Sequence, residues 1–395
     1  MFKIEETLIQ DAIDFRRLLH RYPELSTEER ETSNRIQEKL KEYGIPFKSG
    51  FADTGVLGII EGEQDGKIIG IRADIDALPM KEISGVDFSS EHEGVMHACG
   101  HDAHTSMLVT VARILNERKS EISGTILLIF QPAEENSPTG GSQAMMDDGV
   151  FDEYEPDVLL AQHVWPSLPV GQFGVMGGPI MGNSDRFKIK VTGTGGHAAM
   201  PNETNDAVIM MNALINNLQT IISRNVDPFD PAVLTIGTVK AGTAYNVIAE
   251  EAELNGTIRT QSDNVKQLMK RRFHEVVEET VQAYNGKVEI EYYDGYPATV
   301  NDEEIAHHVK SIIGDMHGEA SVPNLRPSLG GEDFGRFLKK FRGVYYWLGT
   351  SIGEGQKPLH NPGFKLNEDG LRYGVETMVE VALKTLERVN EKLND

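Results

Sequence analysis

The chain is poor in several things at once. Its 395 residues include one cysteine and two tryptophans, and 38 Lys and Arg stand against 61 Asp and Glu. A single cysteine excludes an intrachain disulfide and fits a reducing compartment. A formal charge of −23 argues against nucleic acid and anionic membrane as partners. It also means that an anionic substrate, repelled at long range, needs a local arginine to hold it. No apolar run reaches the length of a membrane span. The opening residues, Met1 to Glu6, lack the basic-then-apolar pattern of a secretory signal, so the cytoplasm is the expected location. There is no internal repeat and no low-complexity tract. A chain of this length exceeds one ordinary core, and two domains are expected.

What is present is concentrated in one stretch. His97-Ala98-Cys99-Gly100-His101-Asp102-Ala103-His104 holds the only cysteine and three of the twelve histidines. A thiolate and an imidazole two positions apart can grip one divalent metal, commonly zinc. The competing reading is an inert buried cysteine beside histidines that merely pack. Met107, Leu108, Val111, Ile114 and Leu115 predict a helix over Thr105 to Lys119, with Asp102 placed to cap it. The positive end of that helix favours an ionised Cys99.

Ahead of this stretch, Ile9, Ala12, Ile13, Phe15, Leu18 and Leu19 recur at helix spacing, and Thr27 to Tyr43 predicts a second amphipathic helix. His20, between them, reads as structural. Gly55 to Glu61 and Lys67 to Ala73 read as a hairpin turning at Gln64-Asp65-Gly66. The second strand runs into Arg72-Ala73-Asp74-Ile75-Asp76-Ala77-Leu78-Pro79. The short apolar run Thr125 to Phe130 predicts a buried strand, followed by Pro132 and Glu134-Glu135. Val158 to Ala161 predicts another, ending at Gln162-His163. Strand ends that carry metal-capable side chains one after another predict one rim of a single sheet.

After Gly182-Asn183 the character changes. Strands are expected over Arg186 to Thr192, Ala232 to Lys240, Glu250 to Arg259 and Lys287 to Tyr293, with helices over Asp206 to Ser223 and Asn264 to Tyr284. This β-α-β-β-α-β order suits a ferredoxin-like module. Beyond Pro297 helices return, with short motifs including Gly330-Gly331-Glu332-Asp333-Phe334 and Leu359-His360-Asn361-Pro362, and a last helix from Gly370 to about Lys392.

Glu134 and Glu135 are neighbours, so their side chains point in different directions. One can bind metal while the other faces a water whose proton it takes. At this point the chain resembles the amidohydrolase branch of the aminoacylase-type zinc peptidases, a branch that includes hippurate hydrolases, auxin-conjugate hydrolases and N-acetyl-diaminopimelate deacetylases. The resemblance covers essentially the full length. It rests on Leu19-His20-Arg21-Tyr22-Pro23-Glu24, on Arg72 to Pro79, on Met96 to Asp102, on Phe130-Gln131-Pro132-Ala133-Glu134-Glu135, on Gly193-Thr194-Gly195-Gly196-His197-Ala198 and on Gly256-Thr257-Ile258-Arg259. Near Glu135 many relatives carry a glycine-rich run where this chain has Asn136-Ser137-Pro138-Thr139-Gly140-Gly141.

The resemblance implies an α/β fold: a metal-binding catalytic domain with a central mixed sheet flanked by helices, from residues 1–184 and 298–395. An inserted ferredoxin-like α+β dimerisation domain over residues 185–297 completes it. It implies two divalent metal ions per chain, zinc or manganese, with nickel or cobalt as other occupants, held by Cys99, His101, Glu135, His163 and His360. Glu134 is then the general base, Asp76 orients a ligand, and His197, Asn246 and Arg259 contact the substrate. His197 would reach the neighbouring subunit's site across a homodimer. The implied reaction is metal-dependent hydrolysis of an N-acyl amino acid, with Arg259 clamping the carboxylate and His197 steadying the oxyanion. A dipeptidase or carboxypeptidase using the same site is the close competitor. A cysteine hydrolase built on Cys99 is a third reading. A metal-storing protein is a fourth, against which Glu134 argues, because binding alone has no use for a spare base. Gly193 to Gly196 lacks the lysine and spacing of a phosphate loop.

Overall fold

The computed structural model describes residues 4–391. The chain forms two compact units, Met1–Ile180 with Val300–Arg326 and Asp333–Asp395, and Met181–Thr299 with Pro327–Glu332. Among the described residues no helix is long and apolar enough to cross a membrane.

The first unit is built on a seven-stranded mixed sheet. Its middle is parallel: Ser123–Gln131, Gln64–Asp74, Val158–Pro169 and Arg342–Ser351 lie side by side in that order. Continuous apolar runs such as Ile126 to Phe130 are buried completely, as strands covered on both faces must be. Each fully buried Leu or Ile contributes about 1.5–3 kcal/mol relative to exposure.

The expected hairpin is not there. Gly55–Glu61 pairs antiparallel with Ser123–Gln131, which lies between it and Gln64–Asp74. Gln64, Asp65 and Gly66, expected as a turn, belong to the strand. The link between the two runs is closed by the intervening strand: Gly62 N donates to Gly124 O at 2.9 Å, and a Cβ on Gly62 would stand 2.0 Å from Ile122 O. Two runs that both need covering on two faces gain more from a shared central partner than from each other.

Helices Glu6–Arg21, Arg30–Glu42, His101–Glu117 and Asp369–Glu391 accompany the sheet; the first, second and last each bury a stripe at 3.6-residue spacing, while His101–Glu117 is buried on nearly every side. Lys392, the expected end of the last helix, lies outside the described residues. The central helix starts four residues earlier than its periodicity suggests, at His101, after Gly100 in the left-handed region (φ 85°). A Cβ on Gly100 would meet Val164 Cγ2 at 2.4 Å, so both conformation and space demand glycine. Asp102 does not cap this helix. It is buried and accepts from Arg16 Nε and His20 Nδ1, each at 2.9 Å. His20 Nε2 reaches Glu82 at 3.1 Å, so this histidine ties the first helix to the loop ahead of the cysteine.

In the second unit, strands Asp185–Thr192, Ala232–Ala241, Glu251–Thr260 and Lys287–Tyr293 form an antiparallel sheet. Numbered by chain order within the unit, their spatial order is second, third, first, fourth, the ferredoxin-like arrangement. Helices Ala207–Asn225 and Asp263–Ala283 cover one face, capped by Asp206 and Ser262, whose side chains accept from Val208 N and Val265 N. Leu214, Leu218, Leu254, Met269 and Phe273 form that core. The opposite face carries a cross-strand charge ladder, with Lys190 2.8 Å from Glu251 and Lys188 3.2 Å from Glu253.

Candidate metal centre

The rim where the parallel strands end brings the first unit's candidates together. Gln64–Asp74 delivers Asp74 and, after it, Asp76; Ser123–Gln131 leads through Pro132 to Glu134 and Glu135. Between them Ala133 takes a left-handed turn (φ 55°) that no β-extension of the strand could supply. His163 sits within Val158–Pro169 rather than past its end, because parallel pairing with Arg342–Ser351 continues through Trp347 opposite His163. His360, also left-handed (φ 58°), donates its N–H to Ala98 O at 2.9 Å, which ties its loop to the cysteine's.

The hydrogen bonds fix which ring nitrogens face the centre. His163 Nδ1 donates to Val164 O at 2.7 Å, leaving its Nε2 lone pair 3.5 Å from Cys99 Sγ. His101 Nδ1 bonds Asp76 Oδ1 at 3.1 Å, leaving Nε2 4.0 Å from Glu135 Oε1. His360 Nε2 approaches the same Glu135 oxygen at 3.0 Å. Asp76 holds the arrangement from behind, its Oδ2 accepting from Glu135 N at 2.9 Å and Ser26 Oγ at 2.6 Å. His101 Nε2 and Glu135 Oε1 are buried with no aligned hydrogen-bond partner, and Cys99, His101 and Glu135 present donors within 4.8 Å of one another. Buried ligand-type atoms that converge with no aligned hydrogen bonds to satisfy them fit a cation.

Electrostatics agree. Burial pushes the Cys99 thiol well above its ordinary range, and the carboxylates of Glu135, Glu134 and Asp74 push it further. A thiolate nucleophile is disfavoured here, which argues against the cysteine-hydrolase reading; a divalent cation reverses that balance. For His101, burial lowers the pKa, but Asp74, Asp76 and Glu135 outweigh it and raise it to about 10. The pocket thus favours positive charge at the position of His101 Nε2. Burial holds His163 well below its usual value, with His104 adding to the effect, so its ring is neutral and free to donate an electron pair.

Asp74 and His104 also stand in this cluster, but their atoms are committed. His104 Nδ1 bonds Asp74 Oδ1 at 2.5 Å and its Nε2 accepts from Val164 N at 2.8 Å, while Asp74 Oδ2 accepts from Arg72 at 2.7 Å. They position the strand bearing His163. The sequence held one sign of this: His104 lies one helical turn from His101, on the same face. His97 takes no part; burial lowers it to about 4 and its ring, 6.4 Å from that of His20, stays neutral.

Glu29 was not legible at all. It is fully buried, its Oε1 accepting from Thr27 N at 2.9 Å and from Ala133 N at 2.8 Å, its Oε2 from Thr54 Oγ1 at 2.8 Å. It therefore pins the left-handed turn that aims Glu134 and Glu135. Burial, with Asp76 nearby, raises its pKa from 4.5 to about 7. A carboxylate raised on folding stabilises fully below its unfolded value, and that contribution is lost as pH rises through about 7. Glu29→Gln, which keeps an acceptor and never ionises, should gain on wild type by up to about 3 kcal/mol between about pH 5 and about pH 8. Urea unfolding of both proteins after dialysis against a chelator measures this; a difference constant with pH refutes it.

The second unit gathers the other candidates. His197 pairs opposite Val247, and Asn246 O accepts from Ala198 N at 3.2 Å, so His197 and Asn246 share one small ribbon. His197 is exposed, and its Nδ1 accepts from Ala199 N at 3.1 Å, which puts the ring proton on Nε2 as an outward donor. Arg259 donates to Asp185 O, Ile258 O and the Thr257 hydroxyl, all uncharged. Among the described residues it has no carboxylate partner, and burial lowers its pKa.

The model of peptidase family M20/M25/M40 matches residues 70–384. The N-acetyl-L-cysteine deacetylase of Bacillus subtilis is 38% identical over 390 residues, covering 98% of this chain and 92% of the relative. Thermostable carboxypeptidase 2 of Saccharolobus solfataricus is 39% identical over 389 residues, covering 97% and 96%. The crystal structure of Bacillus subtilis YXEP, described as a dinuclear metal-binding peptidase, superposes with a TM-score of 0.84 at 33% identity, covering 97% of this chain and 99% of that one.

Proposed function

The chain belongs to peptidase family M20/M25/M40, whose members are metal-dependent hydrolases, and on that premise we propose that it cleaves the amide bond of N-acyl amino acids, releasing a carboxylic acid and the free amino acid. The observation that carries the reading is the convergence of Cys99, His101, Glu135, His163 and His360 beside a second, buried carboxylate, Glu134. Two divalent ions, zinc or manganese, with nickel or cobalt as alternatives, would be held by those five side chains. When bound, they polarise the acyl carbonyl and acidify water. Glu134 takes the water's proton and returns it to the departing amine. His197 donates from Nε2 to the developing oxyanion, and Arg259, with Asn246 beside the substrate, reads the free carboxylate. The cytoplasm suits the lone cysteine.

The carboxypeptidase relative keeps a second reading in view, in which an aminoacyl group replaces the simple acyl group at the same centre. The unit over residues 185–297 would join two chains: helix Ala207–Asn225 exposes Val208 and Ile209, and edge strand Ala232–Ala241 exposes Val233 and Val239.

Purified enzyme supplied with each metal in turn should hydrolyse acetyl- and benzoyl-amino acids. It should prefer each substrate to its C-terminal amide, and Arg259→Ala should lose about 10–100-fold of that preference, the worth of a charge-assisted bidentate pair. Failure to hydrolyse any N-acyl amino acid, with dipeptides cleaved instead, transfers the function to the second reading.

A further inference from the structure

Asp74 stands closer to the centre than one of the candidate ligands does. Its Oδ2 lies 3.6 Å from His101 Nε2, whereas Glu135 Oε1 lies 4.0 Å from the same nitrogen. Asp74 is fully buried, and one of its oxygens comes within 4.8 Å of donor atoms on His101, His104 and His163. By distance and by chemistry it qualifies as a ligand. What sets it apart is the company of its two oxygens.

Arg72 lies two residues earlier on the same strand, so both side chains leave by one face. Its buried guanidinium spans three acceptors: Nη1 donates to Asp74 Oδ2 at 2.7 Å, Nη2 to Asp333 Oδ1 at 3.0 Å and Nε to Gln131 Oε1 at 2.8 Å. Asp333 is anchored in turn, accepting from Gln131 Nε2 and Ser142 N, each at 2.9 Å. The planar fork is thereby fixed in orientation, with Asp74 at one of its tips. His104 Nδ1 occupies the other oxygen, Asp74 Oδ1, at 2.5 Å. The oxygen nearest His101 thus already faces a full positive charge. A cation approaching that oxygen meets the guanidinium as a like charge and has to share the carboxylate's electrons with it.

We infer that Arg72 is a positioning residue that withholds Asp74 from the metals and so keeps the centre rich in nitrogen and sulfur. The inference rests on the metal-hydrolase reading of that centre. Cys99, His101, Glu135, His163 and His360 offer one thiolate, three imidazoles and one carboxylate, a set that leans to zinc over manganese. A second carboxylate adds negative charge and hard oxygen, which shifts the balance towards manganese. Arg72 therefore sets metal preference without touching a metal. Asp74 is left to its other task, holding His104 and through it the Val164 backbone beside His163.

The test reads metal binding and not turnover. Full-length protein stripped by chelator is titrated with zinc, manganese and cobalt in turn. Arg72→Met frees Asp74, and its manganese-to-zinc affinity ratio should rise by about 10–100-fold over wild type, the scale on which the hydrogen-bond partners of a metal site tune affinity. Its visible cobalt absorption should weaken, the mark of an added ligand. Arg72→Met combined with Asp74→Asn removes the freed carboxylate and should return both readings to wild type, which a general loosening of the fold would not do. Asp74→Asn alone decides the matter if Arg72→Met does not fold. Asparagine still accepts from His104, and with Arg72 in place the ions per chain and the cobalt bands should match wild type. A lost ion or displaced cobalt bands in Asp74→Asn would show that Asp74 is already a ligand. An unchanged ratio in folded Arg72→Met, or a changed ratio that persists in the double variant, would show that Arg72 withholds nothing. Each of these overturns the inference. If wild type takes up no divalent ion, the metal reading fails and the inference with it; if wild type binds metal and only the variants depart from expectation, the reading of the centre stands.

Discussion

Glu134→Gln should lose about 10²–10⁴-fold in turnover while keeping the metal content of wild type, the usual scale for removing a positioned proton-transfer group. Glutamine preserves the volume and one acceptor at this buried position, and removes the negative charge together with the ability to take a proton. Glu135→Gln should behave differently. Its Oε1 lies 3.0 Å from His360 Nε2 and 4.0 Å from His101 Nε2, so neutralising it weakens the cradle, and elemental analysis should find fewer ions per chain. Wild type stripped by chelator sets the floor for activity, and restoring a divalent metal should recover wild type and, in part, Glu135→Gln, but not Glu134→Gln. Equal metal loss in the two variants would show that both carboxylates are ligands and that the base lies elsewhere. Full activity of verified metal-free wild type would remove the metal reading altogether.

How much of this was readable beforehand depends on where each residue's partners lie. The buried strands and the helices beside them were legible because continuous apolar runs and 3.6-residue stripes are local statements about burial, whereas the mixed character of the sheet came from the family resemblance. The convergence of Asp76, Glu135 and His163 was legible as well, since parallel neighbours must end on one rim. The hairpin was misread because Gln64-Asp65-Gly66 is a local turn signal, while the strand that wins the pairing, Ser123–Gln131, arrives much later in the chain. Asp102 was misread for a related reason. Its position favoured a helix cap, but a buried carboxylate gains more from Arg16 and His20, whose approach only the folded chain reveals. Glu29 shares that origin, being an ordinary acidic residue until the fold delivers Ala133 N to it; Asp74 was marked as a carboxylate at a strand end, but its partner His104 was not foreseen. The hold of Arg72 on Asp333 could not be foreseen either, because the two lie far apart in sequence.

The second large effect concerns His197, which lies in the unit formed by Met181–Thr299 while the five candidate ligands lie in the other. His197→Ala should cost about 10²–10³-fold in turnover, as loss of an oxyanion donor does. We propose that in a dimer this donor serves the partner subunit's centre. The test needs no further structure. His197→Ala and Glu134→Gln homodimers, each nearly inactive, are mixed under conditions that let subunits exchange. If His197 acts on the partner, a hybrid dimer holds one centre with Glu134 from one chain and His197 from the other, and one with neither. Random exchange makes about half the dimers hybrid, so roughly a quarter of wild-type activity should return by symmetry counting. If His197 serves its own chain, every centre in a hybrid lacks one group and no activity returns. Subunit exchange, followed by mass with one partner isotopically labelled, decides whether silence counts. Exchange without recovered activity places His197 in its own subunit's reaction or outside the chemistry, and recovery near a quarter makes the dimer the smallest complete form of the enzyme.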